Sequence, residues 1–234
     1  MPVVVALLAA SAAAAAAATE LLGATAPPQQ VQSGRAIAAG AGGQGQQGAC
    51  FSCHGFDGAG QAVAAFPALA GQSAGYLLEQ MERYASGARS NRIMQPIAAA
   101  MTAGQRRDVS IYYAALPIPP AAGPRLAGDP ALLQWGGTLS AIGSAERGVQ
   151  ACQNCHGPGG VGVAPSYPRL AGQPMPYLAQ QLRAWKAGER PGDAPLFYMA
   201  NISHRLSEQD IDAVALYFAS VRTRPETAAT GVLR

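Results

Sequence analysis

The residues with chemistry to offer are four cysteines and the histidines beside them. Cys50-Phe-Ser-Cys53-His54 recurs as Cys152-Gln-Asn-Cys155-His156, and the chain has no other cysteine. Two thiols three positions apart on a helical turn point to one side. There both can add to the vinyl groups of a single porphyrin, and the adjacent histidine reaches the iron from the same face. Cys-x-x-Cys-His therefore reads as c-type haem attachment. The pattern predicts two covalently bound haem c groups, held by Cys50, Cys53, Cys152 and Cys155, with His54 and His156 as iron ligands. Other uses of these residues fit less well. A thioredoxin-like pair needs a βαβ context, and none is predicted. Paired Cys-x-x-Cys zinc sites are usually separated by about 15–20 residues; here about a hundred residues lie between. Two disulfides would leave a histidine at both sites unexplained.

A thioether opposite the histidine raises the potential of a haem iron. Of six methionines, only Met94 and Met199 occupy equivalent places, 40 and 43 residues after His54 and His156. They are the expected sixth ligands. Met81 and Met101 read as core, and Met175 lies between two prolines without a counterpart. His204 follows Met199 by five residues and is the alternative ligand; its counterpart is Ala99, so a surface position is expected. Pro67 and Pro168 follow the histidines by 13 and 12 residues. A carbonyl near them is placed to take the His Nδ1 proton, a simple turn being the other reading. Tyr84 and Trp185 share a position and read as core packing, with the haem edge as the alternative. Arg89 and Arg190 are candidates for the propionates, with a solvated arginine after a helix as the other reading.

The elements that must position these groups are also duplicated. Pro67-Ala-Leu-Ala-Gly-Gln72 matches Pro168-Arg-Leu-Ala-Gly-Gln173, Tyr76-Leu77 and Gln80 match Tyr177-Leu178 and Gln181, and Tyr112-Tyr113 match Tyr217-Phe218. The repeat covers about 70 residues of each half, an order of matches that marks a duplicated domain. Apolar residues at helical spacing predict helices beginning near Ser73 and Pro174 and ending at Gly87 and Gly188. A last helix follows Thr102 and Ser207, both good N-caps. The first helix is expected near Gly34 in one copy and near Ala131 in the other, there interrupted at Gly136-Gly137 and Gly143. No stretch alternates as a strand, so the fold class is all-α. The Pro-rich segment Leu116–Pro124 cannot be helical and divides the copies. The expected layout is a signal peptide over 1–26, haem domains over 31–118 and 126–223, a linker over 119–125 and a tail over 224–234.

Val3–Ala18 is an unbroken run of apolar and small residues, close to a signal h-region and short for a membrane span. No Lys or Arg precedes it. Export to the periplasm is expected, with an uncleaved anchor, and hence peripheral membrane association, as the alternative. Net charge is only +3, and the halves 31–120 and 121–234 each carry +2. No basic tail or charge run marks a nucleic-acid partner.

The duplicated CxxCHG…PxLAGQ…YL…Q…GxR…M pattern resembles the dihaem cytochrome c4 group of class I cytochromes c, over residues 31–222. The resemblance implies two tandem class I cytochrome c domains related by a pseudo-two-fold, His/Met ligation of both irons, and propionates near the domain interface. It further implies an electron carrier, not an enzyme, in a periplasmic respiratory chain. The expected partners are redox proteins: a terminal oxidase as acceptor, and a quinol-oxidising complex or a dehydrogenase. The chain departs from the group at the glycine-rich AGAGGQGQQG stretch, where a regular first helix is expected. Two other readings stand beside the carrier. One is an electron-transfer subunit of a quinoprotein dehydrogenase, which an exposed apolar patch would favour. The other is a dihaem peroxidase, which needs one haem with an open or exchanged ligand.

Overall fold

Helix punctuation in the sequence sets the architecture. The computed structural model describes residues 27–41, 48–119, 128–190 and 196–222. The expected signal peptide, the linker apart from Pro119, and the C-terminal tail lie outside the described residues. Among the described residues, ten α-helices form two matched sets of five, with no strand beyond three isolated bridges. The first set is α1 (Pro28–Ala36), α2 (Phe51–His54), α3 (Ala74–Ser86), α4 (Met94–Ala99) and α5 (Ala103–Ala115). The second is α6 (Pro130–Ile142), α7 (Gln153–His156), α8 (Met175–Lys186), α9 (Leu196–Arg205) and α10 (Glu208–Ser220). None of these helices is long and apolar enough to cross a membrane.

Side-chain caps satisfy the free N–H groups at the helix starts. Ser73 accepts from the Tyr76 N–H at the start of α3. Thr102 with Gln105, and Ser207 with Asp210, form reciprocal capping boxes on the matched helices α5 and α10. The apolar stripes then meet in two cores. Leu77, Met101, Val109, Tyr112 and Tyr113 build one; Leu139, Leu178, Leu206, Ile211, Val214 and Phe218 build the other.

Two expectations about the first helices are corrected. Helix α6 runs unbroken through Gly136-Gly137 and ends at Gly143. Helix α1 begins at Pro28, not near Gly34, and continues as a wider π turn over Ile37–Ala41. The reason is packing. A Cβ on Gly136 would lie 2.0 Å from the Ala213 carbonyl oxygen, and one on Gly34 would lie 2.1 Å from that of Asp108. Each glycine lets the first and last helices of its half cross almost backbone to backbone. That close approach outweighs the helix cost of an interior glycine, roughly 1 kcal/mol.

A polar tie reinforces the same crossing. Ser33 donates to Asp108 at 2.6 Å in the first half, and the Trp135 indole N–H donates to Asp210 at 2.8 Å in the second. Asp210 is 2% exposed, and it also takes Arg147 and the Ser207 hydroxyl and backbone N–H. Burial pushes its carboxyl up, but the bonds from Arg147, Ser207 and Trp135 outweigh it and hold the group at about 2. A depressed carboxylate contributes stability above its unfolded value and loses it as pH falls through the folded value. The contribution therefore disappears between about pH 4 and pH 2. Asp210→Asn is expected to lower stability at neutral pH by about 2 kcal/mol and to flatten that acid limb. Denaturant unfolding at pH 7 and an acid titration check both.

The halves face each other through exchanged hydrogen bonds. The Gln72 side chain donates to the Arg169 carbonyl at 2.7 Å and accepts from its N–H at 3.0 Å. Gln173 does the same to Ala68, at 2.8 and 2.9 Å. Gln72 matches Gln173, and Ala68 matches Arg169, so the two contacts are one contact written twice. This exchange expresses the pseudo-two-fold.

Candidate functional site

The Cys-x-x-Cys-His segments form single helical turns with the same geometry. The N–H groups of Cys53 and His54 donate to the Cys50 carbonyl at 3.3 and 2.8 Å; those of Cys155 and His156 donate to the Cys152 carbonyl at 3.3 and 2.9 Å. Each turn therefore carries both thiols and the histidine together. All four sulfurs are free, half-buried thiols, standing where thioether sulfurs would be once a porphyrin is attached.

Both histidines are buried, and each ring is fixed from behind. His54 Nδ1 donates to the Pro67 carbonyl at 2.9 Å, and His156 Nδ1 to the Pro168 carbonyl at 2.8 Å. Burial pushes both imidazoles below the ordinary histidine value against the opposing effect of the carbonyl bond. Each ring is neutral near pH 7, with Nε2 left to bind a metal. Pro67 and Pro168 thus supply the carbonyls anticipated from their spacing.

A single cavity of about 590 Å³ runs through both halves. Cys50, Cys53, His54 and Met94 line it from one half; Cys152, Cys155, His156 and Met199 line it from the other. Met81 and Met101 also line it from within the first core, and Met175 packs against the second core. His204 is exposed and does not line the cavity. Among the described residues, no three or more His, Cys, Asp or Glu converge as a metal site by themselves.

Where the halves meet, two arginines are buried. Arg89 is 4% exposed and Arg190 is 6%. Neither has a carboxylate partner among the described residues. Arg89 donates to Gln80 of its own half at 2.8 Å, and to Gln181 at 2.8 Å and the Tyr177 hydroxyl at 3.3 Å across the interface. Arg190 donates to Gln181 at 2.7 Å and across to Gln80 at 3.1 Å. Their guanidiniums stack on the matched rings, Arg89 4.6 Å over Tyr84 and Arg190 3.9 Å over Trp185. Burial pushes Tyr177 up, but both arginines and its bonds with Arg89 and Tyr76 outweigh it, and its hydroxyl lies below the ordinary phenol value. Burial takes Tyr84 the other way, up to about 12.

Two buried cations without an acid are costly unless an anion joins them. The buried Gln80 amide nitrogen and the Trp185 indole nitrogen are also unpartnered, and both residues line the cavity. Two cations and two unused donors in an apolar cavity, the cations where the halves meet, fit the carboxylate edges of haem. Tyr84 and Trp185 are buried, as core packing requires, and they also line the cavity. The roles of Gln80, Gln181, Tyr76 and Tyr177 were not read from the sequence; their recurrence in the repeat was the signal available.

Comparison with known proteins agrees with this geometry. A family model described as cytochrome c matches residues 33–112, and one described as cytochrome c oxidase, cbb3-type, subunit III, matches residues 145–218. Cytochrome c4 of Azotobacter vinelandii is 36% identical over 197 residues, covering 79% of this chain and 91% of the relative. The chain belongs to the cytochrome c4 group. The crystal structure of reduced cytochrome c4 from Pseudomonas stutzeri superposes with a TM-score of 0.69 at 29% identity, covering 82% of this chain and 98% of that one. As a dihaem c-type cytochrome, this protein carries covalently bound haem c and transfers electrons. When bound, each haem supplies an iron that takes up or releases one electron.

Two further matches bear on partners. The thiosulfate dehydrogenase electron acceptor of Stutzerimonas stutzeri strain A1501 is 44% identical over 173 residues, covering 74% of this cytochrome and 79% of the relative. The solved thiosulfate dehydrogenase of Marichromatium purpuratum superposes with a TM-score of 0.73 at 39% identity. It is matched over 86% of this cytochrome, which spans only 41% of that longer chain.

Proposed function

We propose that this cytochrome is a periplasmic electron carrier that accepts electrons from a thiosulfate-oxidising dehydrogenase and passes them toward a terminal oxidase. In this reading Cys50 and Cys53 attach one haem, with His54 and Met94 as its axial ligands. Cys152 and Cys155 attach the other, with His156 and Met199. The two haem domains span 31–118 and 126–223. With both axial positions filled, neither iron offers substrate an open place, so the protein carries electrons without catalysing a reaction of its own.

The observation that carries the reading is the single cavity lined by both sets of four residues. Haems held there would share one cavity, the arrangement that passage of an electron between the halves calls for. The dehydrogenase as donor rests on the 44% identical relative named as its electron acceptor, and on exposed apolar groups beside the cavity. Phe56, two residues after His54, is 81% exposed; Phe197 and Tyr198, just before Met199, are more than half exposed. Isolated exposed apolar residues are ordinary, but these lie on the segments that bear the ligands.

The test is direct. The oxidised cytochrome, mixed with a catalytic amount of thiosulfate dehydrogenase and thiosulfate, is expected to become fully reduced at a rate that follows dehydrogenase concentration. Reduction no faster than with thiosulfate alone would reject this donor and leave the carrier reading with another dehydrogenase or a quinol-oxidising complex.

A further inference from the structure

The duplicated fold offers an internal comparison. Tyr113 and Phe218 hold the same place in the two halves. Tyr113 stacks edge-on with Tyr112 at 5.0 Å and 60°; Phe218 stacks with Tyr217 at 5.2 Å and 66°. The Tyr113 carbonyl accepts from the Gly71 N–H at 3.1 Å, and the Phe218 carbonyl from the Gly172 N–H at 2.9 Å. The rings are 2% and 3% exposed, and both line the cavity. Cys50 packs against the cluster containing Tyr113, as Cys152 packs against the one containing Phe218. The difference that remains is one hydroxyl. It is buried and has no hydrogen-bond partner.

A buried phenol without a partner is unfavourable by roughly 1–3 kcal/mol, so its presence asks for a role. Its neighbour is Cys50, which packs against the cluster containing Tyr113 and lines the same cavity, and whose sulfur stands for the thioether sulfur of the attached porphyrin. The hydroxyl proton is free to rotate, and it can turn toward that sulfur and the ring system behind it. A positive dipole end beside the macrocycle disfavours the oxidised, more positive iron. Hydrogen bonding and polarity next to a haem are recognised controls of its potential.

The geometry points to Tyr113 as a residue that raises the potential of the first haem above the value it would have with phenylalanine at that position, as the second half has. This inference rests on the attachment of haem at Cys50 and Cys53 set out above. Tyr113 acts through the porphyrin and its thioether, without touching the iron.

The experiment is a pair of reciprocal variants of the full haem-bearing protein, Tyr113→Phe and Phe218→Tyr. Each haem is followed through a redox titration by its own paramagnetically shifted methyl resonances. In Tyr113→Phe the first haem is expected to become harder to reduce by at least threefold in its reduced-to-oxidised ratio at fixed potential. That corresponds to about 28 mV at 59 mV per decade. The second haem should not move. In Phe218→Tyr the second haem alone should become easier to reduce. Far-UV circular dichroism confirms that both variants keep the fold. Unchanged titrations, or equal shifts of both haems in either variant, would overturn the inference. Intact mass separates this from failure of the attachment reading. Two haems with unmoved potentials reject the role of Tyr113 alone, whereas no haem at Cys50 and Cys53 rejects both.

Discussion

Replacing Cys152 and Cys155 together with alanine is expected to yield a protein with one haem and one unfolded half. The first half keeps its own attachment turn, α2, and its own core around Leu77, Val109 and Tyr112. The second half loses the group around which Leu139, Leu178, Leu206 and Phe218 are arranged. Both halves share a cavity of about 590 Å³. At about 24 cal/mol per Å³ of unfilled cavity, even half of that volume costs on the order of 7 kcal/mol. A small domain has only about 5–15 kcal/mol in total. The porphyrin is thus part of the core of each half, and losing its anchor removes most of the margin for folding. Intact mass should show one haem. Limited proteolysis should cut within 128–222 and spare 48–119. A doubly alanine-substituted protein with two haems, or with a protease-resistant second half, would contradict this account of the core.

The second large effect concerns the seam between the halves. Gln72 and Gln173 are 4% and 5% exposed, and each both donates and accepts across the interface. Truncating both to alanine strands the N–H and carbonyl groups of Ala68 and Arg169. At roughly 1 kcal/mol net for each of four hydrogen bonds, and more where a buried partner is left unpaired, the loss is about 4 kcal/mol or above. It falls on the contact between the domains, leaving each domain's interior intact. Gln72→Ala with Gln173→Ala is therefore expected to keep both haems while separating thermal unfolding into two transitions, with a larger radius of gyration in solution. A single unfolding transition at the original midpoint would show that the Arg89–Gln181 and Arg190–Gln80 contacts hold the seam alone.

The parts of this structure legible in the sequence are those set by local chemistry. Cys-x-x-Cys-His determines its own helical turn, and the 12- and 13-residue spacing to Pro168 and Pro67 pointed to the carbonyls that orient the histidines. Thr102 and Ser207 announced their helices because a capping box involves residues three apart. The first helices were misread because propensity was the only guide. Gly136 looked like a break, but the cost of an interior glycine is small beside the benefit of letting α6 approach α10. Nothing local reports that approach. The interface was hidden for the same reason. Gln72 meets Arg169 across 97 positions and Arg89 meets Gln181 across 92, and a periodicity argument does not reach so far. The repeat recorded these residues as matched pairs without saying that each pair spans the two halves.

The central claim is two haems, each bound through two cysteines and held between histidine and methionine. It is tested most directly on one sample of the protein matured with its haem-attachment machinery, by intact mass and by the long-wavelength absorption of the oxidised form. The account predicts the mass of the polypeptide plus two haems, and a weak charge-transfer band of Met–iron(III) ligation with intensity for two centres. That band should fall to half in Met94→Ala, to half in Met199→Ala, and vanish when both are replaced. A mass with one haem, or two haems with no such band, would contradict it.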